Sequence, residues 1–280
     1  MVEYIAEISS NFVTNGKRSK DRAMKLIEAA ANSGATTVKF QLLKAELLYR
    51  NPDTVKAVEK AELPEEWIPE LIACAEENGV EFLCSPFYLD AVDLLEHHNV
   101  ERYKVASWEL TKVGEVNPLL VKIRDTDKPV LLSTGGAKFE EVDHAIEILR
   151  PGDEAPDDIV LMHCNPAYPT DAENAELRRI LDLATEFYPL SVGYSCHVAD
   201  PIVAASSVMY QSEVIEVHFD LDDRKGNEAI HSLTPARFAE MVRYGNMLQK
   251  AVTGKPNDFD VKFARKNYRR DPSDWLRGVK

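Results

Sequence analysis

The stretch Lys20–Gln41, KDRAMKLIEAAANSGATTVKFQ, holds a helix, a stop and a strand in immediate succession. Ala23, Met24, Ile27 and Ala30 recur at helical spacing, so Lys20–Ser33 is predicted as a helix with one apolar face. Asn32-Ser33-Gly34 closes it, because Gly past a helix end accepts the left-handed backbone that a cap requires. Thr37–Phe40 is a short apolar run with Lys39 and Gln41 at its end. Such a run reads as a parallel strand buried on both faces.

The same unit recurs along the chain. Strands are expected at Tyr4–Ile8, Thr37–Phe40, Glu81–Cys84, Arg102–Ala106, Pro129–Leu132, Ile159–His163, Leu190–Tyr194 and Val214–His218. Helices are expected between them at Lys20–Ser33, Glu65–Asn78, Leu89–His97, Asn117–Asp125, Phe139–Leu149, Ala175–Phe187 and Ile202–Tyr210, and after the last at Pro235–Thr253. Eight β-then-α units without a composition break predict an α/β fold, a (β/α)8 TIM barrel in a single domain over residues 1–255. A doubly wound open sheet would need a Gly-rich phosphate turn after the first strand, and Ile8-Ser9-Ser10-Asn11 is not one. The 280-residue chain, 45% apolar, is long enough for one large core. Residues 256–280 are expected to form a charged tail packing on the barrel, with the cations Lys262, Arg265, Lys266, Arg269 and Arg270.

The formal net charge of −14 disfavours nucleic acid and anionic membranes as partners, although a locally positive pocket can still take an anionic substrate. Cys74, Cys84, Cys164 and Cys196 are scattered with no C-x-x-C pair, which points to a reducing, cytoplasmic setting. No apolar run is long enough to span a bilayer, and Met1-Val2-Glu3-Tyr4 leads straight into a strand rather than a signal segment.

In such barrels the chemistry sits where strands end and loops begin. Here the strand ends offer Glu7, Lys39, Gln41, Ser85, Lys104, Ser107, Glu109, Ser133, His163, Asn165, Tyr168, Ser195, His197 and His218. A lone Lys or His at such a place is most often a satisfied structural group. Many of them on one rim are different, because buried charges need partners or a ligand. Lys39 and Lys104 with the hydroxyls of Ser85, Ser107, Ser133 and Ser195 form a candidate anion site. The turn Ser133-Thr134-Gly135-Gly136 leads into a helix N-terminus that favours anions. His197 and His218, on adjacent strands, are candidate ligands for a divalent metal, with Glu7 or water completing the shell.

The segments that carry these residues resemble the sialic acid synthase (N-acetylneuraminate synthase) family, which includes synthases of related nonulosonic acids. They are Ala6-Glu7-Ile8, Val38-Lys39-Phe40-Gln41, Ser85-Pro86-Phe87, Lys104-Val105-Ala106-Ser107-Trp108-Glu109-Leu110, Leu132-Ser133-Thr134-Gly135, His163-Cys164, Tyr168-Pro169-Thr170, Gly193-Tyr194-Ser195-x-His197 and Ile215-Glu216-x-His218-Phe219. The resemblance implies condensation of phosphoenolpyruvate with the aldehyde of an aldose or N-acyl amino sugar, giving a 2-keto-3-deoxy sugar acid and phosphate. By position, it implies that Lys39, Ser85, Lys104, Ser107, Ser133 and Ser195 hold phosphoenolpyruvate, with Asn165 replacing the usual contact from one place over. Glu7, Lys39, Lys104 and Glu109 would form the catalytic set. Gln41, Glu109, Tyr168 and Glu228 would face the sugar. His197 and His218 would bind Mn2+, or Mg2+ or Co2+ in its place. The family also allows a homodimer, which the sequence does not fix.

The chain departs from the family pattern in several places. Ser9-Ser10-Asn11-Phe12 stands where a Gly-x-Asn-His-like stretch is usual, and Cys196 stands where an Asp is usual. Gly226-Asn227-Glu228-Ala229 replaces Gly-Pro-Asp-His, so the sugar-side carboxylate is on a longer arm. The chain reads as a short form without the antifreeze-like domain. Two other functions fit less well. A Schiff-base aldolase could use Lys39 or Lys104 but has no work for the paired histidines. A non-catalytic anion-binding barrel leaves Glu7, Lys39, Lys104, His197 and His218 without a reason to be together.

Overall fold

The computed structural model describes residues 2–110, 112–152 and 158–254. Eight parallel strands close into a barrel: β1 (Glu3–Glu7), β2 (Thr37–Leu42), β3 (Glu81–Pro86), β4 (Tyr103–Val105), β5 (Val130–Ser133), β6 (Ile159–Cys164), β7 (Ser191–Cys196) and β8 (Val214–His218). Each pairs with the next in sequence, and β1 closes the ring against β8 with Glu7 opposite His218. The main helices are α1 (Lys20–Asn32), α2 (Ile68–Glu77), α3 (Leu89–His97), α4 (Pro118–Arg124), α5 (Phe139–Leu149), α6 (Arg178–Glu186), α7 (Pro201–Ser206) and α8 (Pro235–Thr253). Among the described residues, no helix is long and apolar enough to cross a membrane.

Local chemistry sets the helix starts. Ser19 caps α1 by accepting from the Arg22 N–H. Asn117 caps α4 and Asp200 caps α7, each followed by Pro at the first helical position, where the missing N–H has no helical acceptor to lose. The outward side chains of the strands pack with the helices into the main apolar core, for example Val38, Phe40, Val105, Leu132, Leu161, Ile215 and Val217. The inward side chains divide by height. Ile5, Leu83, Leu131, Met162 and Val214 form a separate buried cluster in the barrel interior. Gly193 leaves room for it, since a Cβ there would lie 2.4 Å from Met162 Sδ. At the bottom Arg102 ties β4 to Glu3 of β1 and Glu81 of β3. A dry middle over an ion-paired base leaves the top of the barrel as the open end.

The structure adjusts the sequence reading in several places. Strand β7 runs on to Cys196, so Ser195 lies within the strand rather than after it. Helix α6 starts at Arg178, because a 3-10 turn at Ala172–Asn174 and a left-handed Glu176 (φ 46°) interrupt the pattern that suggested Ala175. Two short helices, Ala45–Leu48 and Pro52–Val58, fill the excursion between β2 and α2 where no element was expected. The tail proposed for 256–280, with its basic residues, lies outside the described residues.

Candidate active site

The strand ends surround a cavity of about 600 Å3 at the top of the barrel. Its floor is ionic. Glu7 and Lys39 are register partners on β1 and β2 and form a buried ion pair. Lys39 Nζ also lies 3.8 Å from Glu216, and Lys104 Nζ lies 3.4 Å from the same carboxylate. Ser195 donates to Glu216 Oε1 at 2.8 Å, Lys39 to Ser85 Oγ at 3.4 Å and Gln41 to Glu7 Oε1 at 3.2 Å. All four charges are almost fully buried, so each depends on the others to remain ionised. Burial works against the Glu216 anion, but Lys104, Lys39 and the Ser195 hydroxyl outweigh it and hold the carboxyl below its usual range. Burial dominates at Glu7 and pushes it up, and at Lys104 it pushes the ammonium down. Burial is overcome at Lys39 by Glu216 and Glu7, which raise it.

One wall is built by close backbone approach. The Ser107 hydroxyl accepts from the Gly135 N–H at 2.8 Å and touches Cys164 Sγ at 3.1 Å. A Cβ on Gly135 would sit 2.6 Å from that sulfur, so only Gly lets the β5 turn come this close. Ser133 lines the cavity beside it. Glu109 also lines the cavity; its carboxylate accepts from Asn117 Nδ2 at 2.8 Å, and burial raises its pKa.

The opposite wall is a cluster of rings. Tyr168 lies over His197 with centroids 3.9 Å apart, and meets His218 and His231 edge-on. The rings of His197 and His218 are 5.5 Å apart. His197 Nδ1 donates to the Asn165 carbonyl at 2.6 Å, which fixes the tautomer and leaves Nε2 as a lone pair. Burial, then His218, push the His197 pKa down to about 3, so it is neutral at pH 7. Glu228 comes over the mouth on the segment between β8 and α8. Its Oε2 is 2.7 Å from His218 Nδ1 and 3.5 Å from His231 Nε2, and its Oε1 accepts from Ser9 and Ser10. Burial opposes ionisation of Glu228, but His218 and His231 outweigh it and hold the carboxyl well below its usual range. The donors fit a divalent transition ion. One ligand atom from each of His218, Glu228 and His231 lies within 4.8 Å of the others.

The cavity therefore brings together Glu7, Lys39, Gln41, Ser85, Lys104, Ser107, Glu109, Ser133, Tyr168, Ser195, His197, His218 and Glu228. Asn165, expected at the anion site, is not part of its wall. Its side chain accepts from Ala167 N and donates to Asn174 O, so it braces the loop after β6 instead. His163, also singled out at a strand end, points outward, stacked on Tyr194 and bonded to the Ala175 carbonyl. Two residues without an assigned role lie at the centre. Glu216 was findable, since it is two residues before His218 on one strand and so shares its face. His231 had no local signal; only the folding-over of its loop brings it to the mouth.

The sequence model of the NeuB family matches residues 26–257. The N,N'-diacetyllegionaminic acid synthase of Campylobacter jejuni is 32% identical over 82% of this chain and 72% of its own length. The spore coat polysaccharide biosynthesis protein SpsE of Bacillus subtilis is 32% identical over 79% of this chain, which spans 62% of that relative. Among solved structures, the N-acetylneuraminic acid synthetase of Leptospira borgpetersenii, in complex with citrate, superposes with a TM-score of 0.84 at 26% identity, covering 96% of this chain and 93% of that one.

Proposed function

The chain belongs to the NeuB family, and from that premise we propose that it condenses phosphoenolpyruvate with the aldehyde of an aldose or N-acyl amino sugar, yielding a 2-keto-3-deoxy sugar acid and phosphate. The observation that carries the reading is the buried floor of Lys39, Lys104, Glu7 and Glu216 beside the imidazole wall. Two ammonium groups among the hydroxyls of Ser85, Ser107, Ser133 and Ser195 suit a substrate that carries both phosphate and carboxylate. In this reading the enol carbon of phosphoenolpyruvate forms the new C–C bond to the aldehyde carbon. Water then adds to the cationic C2, and the C2–O bond to phosphate breaks. Lys39 and Lys104 hold the phosphate charge through these steps, preorganised and shielded from bulk water. Glu7, whose carboxyl burial pushes up, is suited to hold a proton beside Lys39. Glu109, Gln41 and Tyr168 would face the acceptor.

His197 and His218 would hold a divalent ion, Mn2+ or Mg2+ or Co2+ in its place, which when bound supplies Lewis-acid polarisation of the aldehyde oxygen. The products named for the relatives vary, so the sugar is part of the proposal. The four cysteines are free, which suits a cytoplasmic site of action. Glu216 and Glu7 favour the protonated form of Lys39, which works against a Schiff-base role for it. Lys104 could serve as one only in its deprotonated fraction, and borohydride trapping with substrate is expected to label nothing. The deciding test is phosphate release from phosphoenolpyruvate with Mn2+ across a panel of aldoses and N-acyl hexosamines. Release that depends on one class of acceptor supports the reaction, and none with any acceptor refutes it.

A further inference from the structure

The two imidazoles assigned to the ion, His197 and His218, are backed by different groups. His197 Nδ1 is tied to the Asn165 carbonyl at 2.6 Å, so Nε2 is the atom it can offer. His218 Nδ1 faces Glu228 Oε2 at 2.7 Å. That is a hydrogen-bond distance. It is shorter than the roughly 2.8–3.6 Å that separates neighbouring ligands held at about 2.0–2.2 Å around one ion. Glu228 therefore meets His218 directly, and Nε2 of His218 is left for the ion. Metal-bound histidines commonly give their other nitrogen to a carboxylate or a carbonyl, which fixes the ring's tautomer and direction. Here each ring has one of these partners.

Glu228 is itself held in place. Its Oε1 accepts from Ser9 at 2.6 Å and from Ser10 at 2.8 Å, and its backbone N–H donates to Asn11 Oδ1 at 2.7 Å. All three partners come from the loop after β1. His231 Nε2 lies 3.5 Å from Oε2. Ser9 supplies an independent observation. Its φ is 46°, in the left-handed region where Gly is free and a side chain costs strain. The family pattern has Gly at this position. This chain keeps a strained Ser there, and the hydroxyl that Gly would lack is the one bonded to Glu228.

We propose that Glu228 is a positioning residue for the metal site: it orients His218 through Nδ1 so that Nε2 faces the ion, and Ser9 and Ser10 hold it there. The proposal rests on the metal-dependent reading above and leaves the ion on the His197–His218 pair. Glu228 does not touch the ion, and its work passes from the acceptor's hydroxyls to the imidazole.

The test is Mn2+ titration into the full chain, followed by loss of the free-ion electron paramagnetic resonance signal, with a thermal melt of each variant. The wild type is expected to bind one ion. Glu228→Gln removes the charge behind His218 and should raise Kd by about tenfold to a hundredfold, the usual effect of losing an outer partner. Because Glu228 acts through His218, the same change should add little in a His218→Ala background. Ser9→Gly should raise Kd by up to about tenfold, while its melting temperature stays level or rises as the strain at Ser9 is relieved. A merely structural serine would instead lower the melt and leave the ion alone. An unchanged Kd in Glu228→Gln, or full additivity with His218→Ala, overturns the role. If Glu228→Gln fails to fold, an unchanged Kd in Ser9→Gly overturns it. A wild type that binds no Mn2+ overturns it together with the metal-dependent reading. These readouts do not need turnover. A protein that releases phosphate while Glu228→Gln binds Mn2+ normally sinks the positioning role alone. One whose Mn2+ affinity follows Glu228 and His218 as expected, yet never releases phosphate, sinks the reaction alone.

Discussion

Glu216 lies between two lysines, 3.4 Å from Lys104 and 3.8 Å from Lys39, and its Oε1 also accepts from Ser195. Removing one member of a buried pair leaves a charge with neither water nor partner, which costs about 3–5 kcal/mol. Glu216→Gln is therefore expected to lower the melting temperature by several degrees and to leave the floor more positive; an unchanged melt would refute the pairing. Lys104→Ala has the opposite effect on charge. A charge-assisted hydrogen bond contributes about 1.5–3 kcal/mol, so phosphoenolpyruvate affinity by calorimetry should fall roughly tenfold to a hundredfold, a factor of ten per 1.4 kcal/mol. Unchanged binding would remove Lys104 from the anion site. At this scale the sequence was most legible where a residue's face follows from strand period. Lys39, Ser85, Lys104, Ser133, Ser195 and His218 all point inward by that rule and all reach the cavity. Asn165 failed because it lies past the end of β6, where the period stops and a loop's own hydrogen bonds choose the direction.

The elements that hold the site are strands packed on both faces and loops stitched to each other across the mouth. The turn after β5 is one such close contact, with a Gly135 Cβ position 2.6 Å from Cys164 Sγ and 2.9 Å from Ser107 Oγ. Gly135→Ala must push β6 or the β4 loop outward, a strain of about 1–3 kcal/mol. The expected result is a lower melting temperature and a higher KM for phosphoenolpyruvate, with partial recovery when Cys164→Ala is added; no recovery would mean that the Cys164 contact is not the cause. The loops after β1 and β8 are joined in turn. Asn11 Nδ2 donates to the Phe219 carbonyl and to Ser232, while Arg22 reaches Asp220, Asp223 and the Asn11 carbonyl. The strands and long helices were legible because apolar period needs no tertiary knowledge. The helices at Ala45–Leu48 and Pro52–Val58 were not. Each is too short to show a period.

Across the whole molecule the barrel divides its work by height, with an ion-paired base, a dry middle and a charged, ligand-ready top. The cavity's volume of about 600 Å3 is within the range for small-molecule sites, enough for an anion on the floor and a sugar above it. The acceptor end is where this chain should part from its relatives. Glu228 stands where the family pattern has an acceptor-facing Asp, and its carboxylate is already engaged by Ser9, Ser10 and His218. A group so committed has little capacity left for sugar hydroxyls. One side of the cavity is instead apolar, lined by Leu43, Leu48, Tyr49 and Phe87 from the excursion after β2 and the end of β3. Such a wall favours an acyl or deoxy substituent over a hydroxyl, because a buried hydroxyl without a partner costs about 1–3 kcal/mol. We therefore expect the preferred acceptor to be a less hydroxylated or more heavily acylated sugar than free N-acetylmannosamine. Steady-state kinetics across graded acceptors decides the matter. The expectation fails if free N-acetylmannosamine reaches a kcat/KM of about 10⁴ M⁻¹s⁻¹ or more and exceeds every deoxy and diacyl analogue tested, because the apolar wall would then not be selecting the acceptor.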